Sequence, residues 1–331
     1  QNLQAVTVRR VSAGGVAGGG IVRKVLSLGK IVLGTLHAWK LLRNIKADVI
    51  VAFGGYASVP AGLAGSQLGI TLFLHEQNAV LGRANRLLAS KADQICTSFK
   101  KVSHVPTGQE DKVSLTGNPV RPEIMALRDT PYATPVGNEK IHILVTGGSQ
   151  GATVFNTIVP EALALIPENL RHRLHITQQV RGEGTDTIAE LYKSYGIEAD
   201  LQDFFDDMPT RLANAHIAIC RSGASTITEL AAAGRPAILV PYPHATDDHQ
   251  TENAKEMVAH GAGWIYPNHE FNAKTLAKVL QRMSRHPNEV WMAAEESRKI
   301  GKPYAAKDLA DIVERLALVK GDQSIIKVND I

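Results

Sequence analysis

Apolar and polar positions along the chain fall into two kinds of stretch, short β-branched runs and longer segments with an apolar step of three to four. The first long segment sets Ile21, Val25, Leu28, Val32, Leu36, Trp39 and Leu42 on one face, widened by Val22, Leu26 and Leu33. That spacing predicts an amphipathic helix. Arg23, Lys24, Lys30, Lys40 and Arg43 punctuate it, and no run in it approaches the ~20 apolar residues of a membrane span. Such a helix either packs its stripe on a core with its lysines in water or lies on an anionic membrane surface. From the pattern alone the packed helix is the simpler reading.

The runs that follow alternate strand and helix. Leu3–Val8 reads as a strand, and the glycines at 14, 15, 18, 19 and 20 as a loop, since no Lys-Ser/Thr follows to make a P-loop. Asp48–Phe53 is a buried strand ending in Gly54-Gly55-Tyr56, and Thr71–Leu74 a strand ending in His75-Glu76-Gln77-Asn78. Helices over Pro60–Leu68 and Gly82–Ala89 and strands at Gln94–Thr97 and Val113–Leu115 complete a first domain, 1–129. The segment 130–140 carries Pro131, Pro135 and Gly137 without an apolar period and serves as the linker. A second domain, 141–303, opens with His142–Thr146, a glycine turn at Gly147-Gly148-Ser149-Gln150-Gly151 and a helix. Strands at Arg173–Gln178 and Ala199–Phe205 follow. The last helix, within 304–331, is expected to cross back onto the first domain. Alternation of this kind predicts α/β domains with doubly wound parallel sheets.

Composition changes little in this picture. An apolar fraction of 44% and a charged fraction of 21% suit a soluble globular protein. Cys96 and Cys220 each end an apolar run and read as reduced, buried residues, which leaves neither a disulfide framework nor a zinc site. The net charge of +4 is unevenly spread: residues 1–47 hold eight Lys or Arg and no Asp or Glu.

The densest candidate chemistry lies between Cys220 and Ala254. A strand ends at Cys220, turns through Arg221-Ser222-Gly223-Ala224, and feeds a short helix that stops at Gly234-Arg235-Pro236. A βαβ unit of this kind aims a helix N-terminus at the crevice above the strands, where free N–H groups favour an anion. Ser222, Ser225 and Thr226 suit a phosphate, and Glu229 has the chemistry to accept two hydrogen bonds from a sugar diol. Thr226-Ile227-Thr228-Glu229 is also a capping box, so a plain capped helix stands beside the anion site as an equal reading. Asp206-Asp207 and Asp247-Asp248 read as caps and loop charges, and no metal ligand set or cofactor is expected.

Six motifs then occur in order. They are Gly54-Gly55-Tyr56, His75-Glu76-Gln77-Asn78, Gly117-Asn118-Pro119-Val120-Arg121, Gly147-Gly148-Ser149-Gln150-Gly151, Arg221-Ser222-Gly223-Ala224 and Asp248-His249-Gln250. Together they resemble the MurG family, bacterial N-acetylglucosaminyltransferases that make lipid II for peptidoglycan. The resemblance implies a GT-B fold, two Rossmann-like domains facing a central cleft. It implies inverting transfer of GlcNAc from UDP-GlcNAc to the C4 hydroxyl of MurNAc in lipid I. It also implies a peripheral enzyme on the cytoplasmic face of the inner membrane, with other cell-wall synthesis proteins as partners and no nucleic acid. Asn78 and Arg121 would line the cleft from the first domain, and Ser149 would sit at the diphosphate turn. Phe205 would meet uracil through its backbone. The helix start, Ala224, Ser225, Thr226, Ile227 and Thr228, would take the phosphates, with Glu229 on the ribose and Gln250 on the GlcNAc hydroxyls. The basic helix from Ile21 to Arg43 matches the region through which the family meets an anionic membrane.

Members of that family open with a strand and a Gly-Gly-Thr-Gly-Gly-His turn that supplies the histidine usually assigned as general base. No such turn stands here, so the chain is expected to lack its original N-terminus, and the base is left unassigned. Thr177-Gln178-Gln179-Val180 departs from the family's His-Gln-x-Gly turn. The alternatives are a non-catalytic nucleotide-sugar-binding remnant and another GT-B enzyme, such as a UDP-GlcNAc 2-epimerase or a glycolipid glycosyltransferase.

Overall fold

The computed structural model describes residues 7–12, 21–148, 151–182 and 184–326, with the side chains of 21–25 and 319–326 outside that set. The chain divides into two compact units, Gln1–Thr116 with Lys307–Ile331, and Gly117–Ala306. The glycine run at 14–20 lies outside the described residues. So does most of the strand expected at Leu3–Val8, and Thr7 and Val8 carry no strand pairing.

In the first unit α1 (Ile21–Ile45) leads into β1 (Val49–Ala52), α2 (Ser58–Gln67), β2 (Thr71–Glu76), α3 (Arg83–Ala89), β3 (Gln94–Thr97) and β4 (Val113–Leu115). The four strands form one parallel sheet in the order β1-β2-β3-β4. Every residue of β2 is buried, which is why its sequence runs apolar without alternation.

Of the apolar stripe expected on α1, only Leu42 is buried among the described side chains, with Trp39 half-buried. Ser27, Ile31, Gly34, Ala38 and Leu42 turn inward, while Leu26, Leu28, Val32, Leu33 and Leu36 are exposed, Leu33 at 66%. The cause is backbone proximity. A Cβ on Gly34 would stand 1.9 Å from the carbonyl oxygen of Ser12 and 3.2 Å from Cγ of Pro60 in α2. At Gly34 only glycine lets α1 come that close, and Leu26, Leu28, Val32, Leu33 and Leu36 are left on the outer side. Lys30, Lys40 and Arg43 share that exposure.

The second unit begins with the short helix α4 (Pro122–Met125), then β5 (Ile141–Thr146), α5 (Thr153–Ala164), α6 (Glu168–Arg171), β6 (Leu174–Gln179), α7 (Thr185–Ser194), β7 (Glu198–Gln202) and α8 (Met208–Asn214). It continues with β8 (Ile217–Cys220), α9 (Ala224–Ala233), β9 (Ala237–Leu239), α10 (His249–Ala259), β10 (Gly263–Ile265), α11 (Ala273–Arg285) and α12 (Pro287–Ile300). α13 (Ala305–Ile326) starts in this unit and passes into the first. There Leu309 packs with Phe73 and Cys96.

The boundary at Gly117 falls ahead of the 130–140 linker expected from proline and glycine content. Contacts pull the intervening residues into the second unit. Ile124 is fully buried, Arg128 Nη1 donates to the Arg298 carbonyl at 2.8 Å, and Arg298 Nη2 donates to Thr130 O at 2.9 Å.

Six parallel strands make the second sheet, in the order β10-β9-β8-β5-β6-β7. Chain direction across the sheet reverses between β5 and β8, so the carboxyl ends of these two strands bracket a topological switch point. Ile143, Ile176 and Ile219 belong to the large core of this unit, along with Phe155, Leu163 and Tyr192. The opposite face of β5–β7 is polar. His142 pairs in register with His175, and Thr177 with Asp200. With α8 they line a cavity of about 200 Å³.

Candidate functional site

The second unit's candidate residues lie on the segments that follow its strands, those after β5 and β8 flanking the switch point. After β5 the chain turns through Gly147 and Gly148. A Cβ on Gly147 would lie 2.2 Å from the Ala152 nitrogen, and Gly148 has φ +72°, so both positions require glycine. The Gly148 N–H donates to Thr146 Oγ1 at 3.1 Å, and that hydroxyl donates to Gln179 Oε1 at 2.9 Å. Ser149, expected at this turn, lies outside the described residues.

After β8, Gly223 in extended conformation is the N-cap of α9, with no side-chain cap. The N–H groups of Gly223, Ala224, Ser225 and Thr226 therefore have no acceptor within the helix. Ile227 donates its N–H to the Gly223 carbonyl at 3.0 Å and buries its side chain. Thr228 Oγ1 donates back to the Ala224 carbonyl at 2.9 Å. Of the five residues expected to meet phosphates, the free amides are those of Ala224, Ser225 and Thr226, while Ile227 and Thr228 are used by the helix itself. Ser222 is also spent. It is fully buried and donates to the Gln250 carbonyl at 2.8 Å, so its hydroxyl holds α10 against β8 rather than facing a ligand.

The capping-box alternative is corrected by the same geometry. Helix α9 starts at Ala224, so Thr226 is inside it and Glu229 stands in its second turn. The Glu229 carboxylate instead meets Arg121, with Nη2 at 3.0 Å and Nε at 3.1 Å from Oε1. Arg121 itself belongs to the second unit, not to the first as expected. Burial pushes the Glu229 carboxyl above the usual range, and the Arg121 guanidinium opposes that rise. Beside them Asn118 Nδ2 approaches Thr228 Oγ1 at 3.4 Å.

Gln250 lies in the first turn of α10. Its Oε1 accepts the Tyr242 N–H at 2.9 Å, and its Nε2 has no partner among the described residues. Phe205 follows β7, with a buried ring under the Arg211 guanidinium, 4.2 Å from the ring centroid. Its own N–H and C=O make no hydrogen bond among the described residues.

Two arginines at the carboxyl edge were given no role by the sequence. Arg221 Nη1 donates to Val240 O, Pro241 O and Asn268 Oδ1, each at 3.0 Å, which fixes the loop beyond β9. Arg181 follows β6 with its guanidinium 5.8 Å from the Phe204 ring centroid. The Arg221-Ser222-Gly223 motif marked the first of them. Nothing local in the sequence marked the second.

In the first unit the polar end of β2 is organised by one carboxylate. Glu76, buried, accepts from Asn78 N (3.0 Å) and Asn78 Nδ2 (3.2 Å) on Oε1, and from Gly82 N (2.7 Å) and Asn85 Nδ2 (2.8 Å) on Oε2. Asn78 is thus held by its neighbour. His75 is fully buried, with Nδ1 3.0 Å from Gln77 Nε2 and its ring edge-on to Phe53.

Comparison with known proteins places this geometry. Residues 142–316 match the glycosyltransferase family 28 C-terminal domain, and residues 2–97 match the family 28 N-terminal domain. The chain belongs to glycosyltransferase family 28. It is 49% identical over 94% of its length to the UDP-N-acetylglucosamine--N-acetylmuramyl-(pentapeptide) pyrophosphoryl-undecaprenol N-acetylglucosamine transferase of Rhodospirillum centenum, and covers 82% of that protein. It is 46% identical to the protein of the same name in Rhodospirillum rubrum, over 95% of the chain and 81% of the relative. Among solved structures it is similar to Acinetobacter baumannii MurG, with TM-score 0.75 and 30% identity over 89% of this chain and 83% of that one. A UDP-GlcNAc 2-epimerase from Neisseria meningitidis, at 12% identity and TM-score 0.60, shares the fold alone. The fold class of this family 28 chain is GT-B, built from two parallel-sheet α/β units.

Proposed function

We propose that this family 28 chain transfers N-acetylglucosamine from UDP-GlcNAc to the MurNAc C4 hydroxyl of lipid I, giving lipid II. The observation that carries the proposal is the 49% identity, along 94% of the chain, to a transferase named for that reaction. The second unit's switch point supports the donor half in physical terms. The free amides of Ala224, Ser225 and Thr226, at the positive end of α9, suit the diphosphate, where a leaving UDP gains negative charge. Gly147 and Gly148 bring a second backbone segment to the same edge of the sheet. Ser149 is assigned to that turn from the sequence. Glu229, with Arg121 beside it, suits the ribose diol, and Gln250 Nε2 suits the sugar hydroxyls. The unpaired backbone of Phe205 suits the uracil edge. Asn78, fixed by Glu76, is assigned to the donor from the first unit.

We further propose that the exposed Leu26, Leu28, Val32, Leu33 and Leu36 of α1, with Lys30, Lys40 and Arg43, meet an anionic membrane surface on the cytoplasmic side, where a lipid-linked acceptor is anchored. No helix among the described residues is long and apolar enough to cross a membrane.

The test is twofold. Calorimetry with UDP-GlcNAc and UDP measures the donor half, and transfer of labelled GlcNAc to a lipid I analogue measures the reaction. Glu229→Ala is expected to weaken UDP by about 1–3 kcal/mol, the scale of hydrogen bonds lost to a charged acceptor. Unchanged UDP affinity in a folded Glu229→Ala protein would remove Glu229 from the ribose.

A further inference from the structure

Arg121 is placed with unusual firmness for a surface arginine. It caps α4, and its carbonyl accepts the N–H groups of Ile124 and Met125, each at 3.0 Å. Upstream, Gly117 has φ +92°, and a Cβ there would stand 2.5 Å from the Lys302 side chain. The loop from Gly117 to Arg121 is therefore seated on its own unit at both ends. From that seat the guanidinium places Nε and Nη2 on a single oxygen of Glu229, Oε1. Oε2 has no partner among the described residues. A bidentate fork would have engaged both oxygens. Here one is gripped and the other is left open.

We propose that Arg121 is a positioning residue for ribose recognition: it grips one oxygen of Glu229 so that the carboxylate stays ionised and turned with its second oxygen toward the vicinal diol of the donor. This rests on Glu229 being the ribose acceptor. An ionised carboxylate accepts from both hydroxyls of a diol, whereas a carboxylic acid must use one oxygen as a donor. Glu229 sits where burial favours the neutral acid, and Arg121 supplies the opposing attraction. Of the other charged groups on elements packed against α9, Glu289 and Glu296 of α12 pair with Arg282 and Lys299, and His249 of α10 meets the Thr246 carbonyl. Arg128 binds the Arg298 carbonyl, and Glu295 and Glu256 are half-exposed. Arg298 of α12 binds the Thr130 carbonyl, and Arg211 of α8 pairs with Asp200 and Asp207. Lys255 of α10 pairs with Glu252, while Glu123 of α4 and Asp129 are exposed to solvent. Arg235 of the α9–β9 turn is buried on the Leu212 and Ala213 carbonyls.

The experiment compares UDP with 2′-deoxy-UDP by calorimetry on the full chain, from pH 8 to 5.5, for the wild type and Arg121→Met, Arg121→Lys and Glu229→Gln. Arg121→Met is expected to weaken UDP about tenfold at pH 7 while weakening 2′-deoxy-UDP less than about threefold, and the UDP loss should deepen as pH falls. Arg121→Lys, which keeps the charge, should restore most of the preference for UDP and flatten the pH profile. Equal losses for both nucleotides in Arg121→Met would overturn the proposal, since Arg121 would then act on the diphosphate or on the fold. A pH-independent loss would do the same. Glu229→Gln separates the two levels: if it keeps the wild-type preference for UDP over 2′-deoxy-UDP, Glu229 does not read the ribose, and the underlying assignment falls whatever Arg121 does.

Discussion

Protonation of His216 should unfasten the second unit in mild acid. The imidazole lies at the start of β8, with its ring 5.5 Å from that of His142, which in turn is 4.8 Å from His175. Nδ1 of His216 accepts the backbone N–H of His142 at 2.9 Å. A proton on Nδ1 would leave two donors facing each other. Burial, then the nearby His142 and Arg235, push the His216 pKa down to about 4 from an ordinary value of 6.5. The unfolded chain thus binds a proton that the folded unit refuses, so stability is complete above pH 6.5 and is lost as pH falls toward 4. The shift corresponds to about 3 kcal/mol at full titration and about 2 kcal/mol by pH 5, which solvent screening at a half-buried ring trims to about 1–2 kcal/mol. His142, also pushed down by burial and by His175, adds loss of the same sign. The variant is His216→Asn, whose Oδ1 stands where Nδ1 was and accepts the same N–H without titrating. Urea unfolding is followed by tryptophan fluorescence in a Trp39→Phe background, which leaves Trp264 and Trp291 of the second unit as reporters. Between pH 7 and pH 5 the wild type should lose about 1–2 kcal/mol more than His216→Asn. Parallel pH profiles, or an imidazole NMR signal titrating near 6.5, would refute the reasoning.

Other consequences follow from particular contacts. Glu76→Gln turns an NH₂ group toward donors on one side of a carboxylate that accepts four hydrogen bonds. It should cost about 1–3 kcal/mol, read in the unfolding of the first unit through Trp39, and a loss within error would show that the four contacts do not hold the β2 end. Gly34→Val puts a branched Cβ where 1.9 Å separates it from the Ser12 carbonyl, and should destabilise by about 1–3 kcal/mol. An unchanged melting temperature would mean that the close approach of the Ser12 backbone at Gly34 does not constrain the packing of α1. Lys30→Glu with Lys40→Glu should weaken binding to vesicles of mixed neutral and anionic lipid by about 1 kcal/mol per position or more at low salt. Equal sedimentation with those vesicles would separate α1 from the membrane.

Strand existence was legible wherever the chain buries both faces, because a parallel strand with helices on each side must be apolar throughout. Gln94–Thr97 and Val113–Leu115 coincide with β3 and β4, and Ala237 opens β9 as expected. Strand ends were less legible. The strand expected to reach Phe205 stops at Gln202, since pairing with β6 ends there, and that early stop is what frees the Phe205 backbone. The outward stripe of α1 was hidden for a different reason. Periodicity finds an apolar face but not the distance of the neighbouring backbone, and at Gly34 that distance selects glycine over any larger residue. Glu229 shows the same limit at the candidate site. Its spacing from Thr226 fitted a capping box, and what removes that reading is the helix start at Ala224, set by the extended Gly223. Its actual partner, Arg121, lies 108 residues away in sequence, beyond the reach of any local rule. The residue types of a nucleotide site could therefore be read from the chain, while their pairing could not. In this site the pairing decides which oxygen of Glu229 remains open to a ligand.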